Sequence, residues 1–141
     1  MDDPPQFSEL SYEQLAVGQQ WGPFAERLDQ ETSDALRGEV GEAEPGATAP
    51  LGVLPLLTLR VLRRALGGII PGGILARQHF AAVDALPAAG AVEVAIWVSA
   101  QQHRPSGFYT TFTFALHAGG RTPAIVEWTI LAPRETTAAA A

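Results

Sequence analysis

Cysteine and lysine are both missing from these 141 residues, and the single methionine is Met1. Without cysteine there is no disulfide, no thiolate nucleophile and no Cys-based zinc site. All nine basic residues are therefore arginine, a trait that reads as genome composition rather than function. No apolar run is long enough to span a bilayer, which takes about 20 residues. The longest, residues 49–59, is closed by Arg60, Arg63 and Arg64. The first ten residues are acidic and proline-containing, and lack the basic start and apolar stretch of a secretory leader. A dense basic stripe is missing too, so nucleic acid is a poor candidate partner. No two of the three histidines have metal-ligand spacing, and no serine sits in a nucleophile elbow, so neither zinc nor serine hydrolysis is expected. These absences leave a soluble, cytoplasmic protein as the expectation, with no membrane partner, no metal and no bound cofactor.

Apolar residues are plentiful, at 47% of the chain, which suffices for one core and excludes intrinsic disorder. The length suits one domain, taken as residues 11–133, between a flexible start (1–10) and a flexible Ala-rich tail (134–141). Charge is lopsided within the net −6. Residues 1–48 hold eleven acids and two arginines; the remainder holds four acids and seven arginines.

Ser11 reads as the cap of a helical turn, and residues 17–28, with Trp21 and Phe24, as a first strand. Asp29 is placed to cap a helix over residues 30–40. A loop rich in Gly, Pro and Ala follows, at 42–50. A second helix, apolar around most of its circumference, then starts close to Val53, since Pro55 is tolerable only in a first turn, and stops at Gly67-Gly68. Residues 74–83 form a plausible strand. Alternation is plain in three later segments: Val92, Val94, Ile96, Val98; then Phe108, Thr110, Phe112, Phe114, Leu116; then Ala124, Val126, Trp128, Ile130. Pro105-Ser106-Gly107 and Gly119-Gly120 supply the turns between them. One curved antiparallel sheet around one apolar helix is the economical packing of this order, an α+β hot-dog architecture.

Several segments resemble the MaoC-like (R)-specific enoyl-CoA hydratase/dehydratase family. Ser11-Tyr-Glu-Gln-Leu-Ala-Val-Gly18 is similar to its opening, and Ala49-Pro-Leu-Gly-Val-Leu54 to the glycine-bearing start of its central helix. Leu86-Pro-Ala-Ala-Gly90 is similar to the link before its next long strand. The resemblance spans roughly residues 11–133. It implies an enzyme of fatty acid metabolism acting on acyl-CoA thioesters, a lyase in which an Asp and a His activate water while a helix-terminal amide polarises the thioester carbonyl. The matching stretch here is Gly41-Glu42-Ala43-Glu44-Pro45-Gly46-Ala47, with Glu42 in the Asp position and Ala47 in the His position. A carboxylate moved by ~1 Å can lose on the order of 100-fold in rate, and alanine moves no proton. Only four residues separate Ala47 from Gly52, where the active family has a longer segment. The dyad is broken as written.

The resemblance leaves Glu42 as a displaced acid/base, with a solvated loop carboxylate as its bland alternative. Gly52 is the thioester-binding amide, or else only a tight turn into the helix. His103, at a strand end where a tunnel mouth would lie, is the candidate base. His79 reads as a hydrogen-bonded interior histidine and His117 as exposed. Arg104 is a candidate for the phosphates of coenzyme A, as is Arg77. The trio Arg60, Arg63 and Arg64 reads as a solvated helix face or as ion-pair partners of the acidic first third. Three activities stay open: a divergent hydratase/dehydratase, a hot-dog thioesterase, and a catalytically silent acyl-thioester-binding or structural subunit. A sheet with an uncovered face and edge implies a homodimer, or a heterodimer with another hot-dog subunit.

Overall fold

A computed structural model describes residues 14–39, 53–67, 73–82, 84 and 86–133. Five strands form one antiparallel sheet in the order β1-β3-β4-β5-β2. They are β1 (Gln20–Leu28), β2 (Ile74–Ala82), β3 (Gly90–Arg104), β4 (Gly107–Ala118) and β5 (Arg121–Pro133), with α1 (Gln30–Glu39) and α2 (Val53–Leu66) between β1 and β2. The last three strands run as a meander because their connections are too short for anything else. Gly119 and Gly120 take φ of 58° and 76°, the paired positive values that a two-residue hairpin requires. The first strand begins at Gln20 rather than residue 17, because residues 17 and 18 turn the chain into it.

Alternation fixes which face is inner. Val92, Val94, Ile96 and Val98 of β3, Phe112, Phe114 and Leu116 of β4, and Val126 and Ile130 of β5 are almost wholly buried, and they meet α2 in one cluster. Truncating one such large side chain costs about 2–5 kcal/mol. On α2 the buried residues Val53, Leu54, Leu57, Val61, Leu62 and Ala65 recur at helical spacing. The sheet curves over one broad face of α2, so its buried residues lie on that face rather than around most of the circumference, as its apolar sequence suggested. Pro55, Leu56, Arg60, Arg63 and Arg64 stay exposed. Gly67, at φ 81°, ends the helix and returns its amide to the Arg63 carbonyl at 2.8 Å.

Local chemistry starts α1 as expected. Asp29 Oδ1 accepts the Glu31 amide at 3.1 Å, and Oδ2 accepts the Thr32 hydroxyl at 3.3 Å. Ser33, fully buried, donates to the Ala88 carbonyl at 2.8 Å and ties α1 to the segment before β3. Arg64 ties α2 to β1, donating to the Ala25 carbonyl at 2.6 Å and to Glu26 Oε2 at 2.8 Å, with its guanidinium 4.8 Å from the Phe24 ring centroid. This is the ion pairing to the acidic first third that the arginine trio suggested. Among the described residues, no helix is long and apolar enough to cross a membrane.

Candidate functional site

Glu42 and Gly52 lie outside the described residues, as do Ser11, Ala47 and both chain ends. Of the sequence-derived site residues, His103 and Arg104 are placed, and consecutive strand positions send them to opposite faces. His103 pairs in register with Phe108, an inner-face residue, and stacks on its ring with centroids 4.3 Å apart; the imidazole is otherwise exposed on the rim. Arg104 points to the outer face. Its Nε and Nη2 donate to Gln102 Oε1 at 3.1 and 2.7 Å, and its guanidinium lies 5.0 Å from the Tyr109 ring centroid. The structure therefore does not bring the candidate base and the candidate phosphate ligand together.

The outer face carries two adjoining concavities. The first, about 440 Å³, is lined by Arg77, Gln102, Arg104, Tyr109, Thr111 and Thr129 among others. The second, about 550 Å³, shares Arg77, Thr111 and Thr129 with it and adds His79, Trp97, Ser99, Thr113 and Glu127. Small hydroxyl side chains make the floor low. Thr113 donates to Ser99 Oγ at 2.7 Å, Ser99 donates to the Thr111 carbonyl at 3.3 Å, and Thr111 and Thr129 share a hydroxyl bond of 2.9 Å. A bulge beside Ser99, between Val98 and Ala100, offsets this row. Among the described residues, Arg77 forms no ion pair, and Arg104 is held by the neutral Gln102 amide and the Tyr109 ring. Two guanidinium charges thus line one cleft with no carboxylate paired to them among the described residues, which suits phosphate oxygens.

His79 does not fit its reading as an interior histidine. Its side chain is 57% exposed, with Nδ1 3.9 Å from Glu127 Oε1, because β2 is an edge strand and periodicity cannot show which strands are edges. His117 is exposed as expected, with Nδ1 2.8 Å from the Thr122 hydroxyl. Among the described residues, no three His, Asp or Glu side chains converge on a metal-sized site.

Sequence reasoning did not single out two inner-face groups. Thr110 Oγ1 and Trp128 Nε1 are buried and meet no hydrogen-bond partner among the described residues, a cost of about 1–3 kcal/mol each. The only sequence signal was a threonine and an indole within otherwise aliphatic and phenyl alternation.

No protein-family model matches the sequence, and no curated protein matches it either. Solved structures do. The MaoC-like dehydratase from Rhodospirillum rubrum superposes with a TM-score of 0.67 at 18% identity, over 89% of this chain and 98% of that one. The (R)-hydratase from A. caviae involved in PHA biosynthesis gives 0.67 at 18% identity, over 86% and 99%. This chain has the hot-dog fold of the MaoC-like hydratases and dehydratases. The HadBC (3R-hydroxyacyl-ACP dehydratase) complex from Mycobacterium tuberculosis gives 0.64 at 13% identity, over 82% and 96%. At such identities the hot-dog likeness fixes the architecture and leaves the reaction to the site.

Proposed function

We propose that this hot-dog domain is a divergent MaoC-like acyl-thioester protein, with coenzyme A thioesters as its ligands and a degenerate hydratase/dehydratase motif. The observation that carries this reading is the superposition of 86–89% of this chain on MaoC-like hydratases and dehydratases. It is supported by the matching order of the segments around Gly18, Gly52 and Gly90. In this reading the amide of Gly52, the residue before Val53 in sequence, donates to the thioester carbonyl, and the dipole of α2 favours the charge that gathers there. Arg104, with Arg77, holds phosphate oxygens of the coenzyme. A cytoplasmic setting goes with such substrates.

A silent subunit is the second reading, and the placement of His103 favours it. Stacked on Phe108 at the rim, this histidine pairs with no carboxylate among the described residues that could make it a base. That reading calls for a competent hot-dog partner, and HadBC offers the analogy of a dehydratase built as a complex. If Glu42 works alone, hydration of enoyl-CoA or hydrolysis of acyl-CoA is slow but measurable. The deciding experiment is turnover of short- and medium-chain enoyl-CoAs and acyl-CoAs, run beside Glu42→Gln. Activity lost in the variant establishes a relocated acid/base. Saturable binding without turnover establishes the silent subunit. Neither binding nor turnover removes thioesters from the account.

A further inference from the structure

The two outer-face concavities share Arg77, Thr111 and Thr129, so they run together as one groove over β3, β4, β5 and β2. Along β4 the groove extends from Tyr109 to Thr113, a reach of roughly 14 Å at strand spacing. Its ends differ in chemistry. At the first, the Arg104 guanidinium lies over the Tyr109 ring and occupies that aromatic face. At the second, Trp97 is half-buried, with neither ring nor guanidinium against it among the described residues. Register makes Trp97, Thr113 and Glu127 neighbours across β3, β4 and β5. The indole and the carboxylate therefore stand two strands apart, roughly 10 Å at backbone level. Only the small, buried Thr113 lies between them, as the floor of the 550 Å³ concavity. Glu127 stays exposed, with His79 Nδ1 3.9 Å from its Oε1.

An ionised carboxylate only accepts hydrogen bonds, and an indole offers a broad aromatic surface. Set either side of a low floor, the two suit a flat heterocycle bearing an amino group. A two-ring base spans the gap between them better than a single ring. Between the ends lie hydroxyls that can meet a pentose. The bond between Thr111 and Thr129 uses one of their two hydrogens, so the other hydroxyl keeps one to donate. Charge sets the direction of such a ligand, since Glu127 repels phosphate and the two arginines attract it. We propose that Trp97 and Glu127 form a purine subsite, and that the groove takes a purine nucleoside diphosphate with its phosphates on Arg77 and Arg104. This deepens the coenzyme reading above and rests on its assignment of phosphate to those arginines. The same chemistry comes in two forms, a free nucleotide and the nucleotide end of a coenzyme A thioester.

The test measures calorimetric Kd values for ADP, UDP and pyrophosphate with the full chain, Trp97→Val and Glu127→Val. The natural chain is expected to bind ADP about tenfold more tightly than either UDP or pyrophosphate, the scale of one base stacked on an aromatic side chain. Both variants narrow the ratio of ADP to pyrophosphate, because pyrophosphate reaches neither side chain, and Trp97→Val leaves pyrophosphate binding unchanged. Displacement then separates the two sources. Release of bound ADP by butyryl-CoA but not by butyryl-pantetheine assigns the groove to the nucleotide end of the coenzyme. Binding of butyryl-CoA without release of ADP keeps the purine subsite, gives it to a free nucleotide, and takes the coenzyme phosphates off Arg77 and Arg104. ADP bound no more tightly than pyrophosphate or UDP overturns the purine subsite and leaves the phosphate reading intact. An ADP preference unchanged in both variants likewise overturns it. Failure of both ADP and pyrophosphate to bind removes the subsite and the phosphate reading beneath it. Should Trp97→Val not fold, the ratios in the natural chain and Glu127→Val still decide.

Discussion

Ser33 shows how one hydroxyl can hold two elements in register. It is fully buried in α1, and its bond to the Ala88 carbonyl spans 55 positions of sequence. Ser33→Ala leaves that carbonyl unpaired in a place water does not reach. We expect a loss of about 1–3 kcal/mol, seen as a fall of several degrees in the unfolding midpoint; an unchanged midpoint would show the bond contributes nothing net. Nothing in the sequence marked this serine, because a helix pattern gives the face of a residue and not what lies against it. Asp29, by contrast, was legible, since a cap is a local matter between a side chain and the amides just after it. The same contrast separates Arg104 from His103. Adjacent in sequence, they part to opposite faces, and only the strand geometry, carried through a fifteen-residue β3, shows it.

At the scale of elements, the alternation of β3, β4 and β5 was fully legible because each has one face against the core. The order of strands was not. Arg77 and Arg104 line one cleft from strands separated by two others, and no spacing in the sequence relates them. The helix α2 was legible as apolar, and its exposed arginine side follows from being covered on one face. Arg64 turns that exposure into a tether, because its partner Glu26 is only 12% exposed while Arg64 itself is 43% exposed. Exposed ion pairs contribute about 0–1 kcal/mol, but this one adds a backbone carbonyl and an aromatic face. Arg64→Met keeps the stem and removes the charge. We expect it to lower stability by about 1–2 kcal/mol, with most of the loss gone when Glu26 is also changed to Gln. A full loss in the double variant would place the effect elsewhere than in the pair.

For the whole molecule, the two edges of the sheet differ in how they meet other chains. The β1 edge carries Pro23, which has no amide to offer, and a bulge between Trp21 and Phe24. The β2 edge has neither proline nor acid, and it exposes Ile74 by 56% and Phe80 by 37%. If the proposed dimer forms, β2 is its seam. Opposite residues of an antiparallel pair share a face, so two identical strands always set some residue against its own copy. Registers centred on Arg77, Gln78 or His79 all gather Arg77 and His79 of both chains on the outer face. The register centred on Arg77 sets its two guanidinium charges directly opposite, which costs roughly 0.2–1 kcal/mol, too little to forbid a homodimer but enough to make it salt-sensitive. Added salt screens that repulsion, with a Debye length falling from about 10 Å at 0.1 M to about 3 Å at 1 M. Sedimentation is therefore expected to show tighter self-association at high salt, tighter association in Arg77→Gln at low salt, and a monomer in Phe80→Glu. Weaker association at high salt would point instead to a non-identical partner with acidic residues on its pairing strand. Undiminished association in Phe80→Glu would move the seam away from β2 altogether.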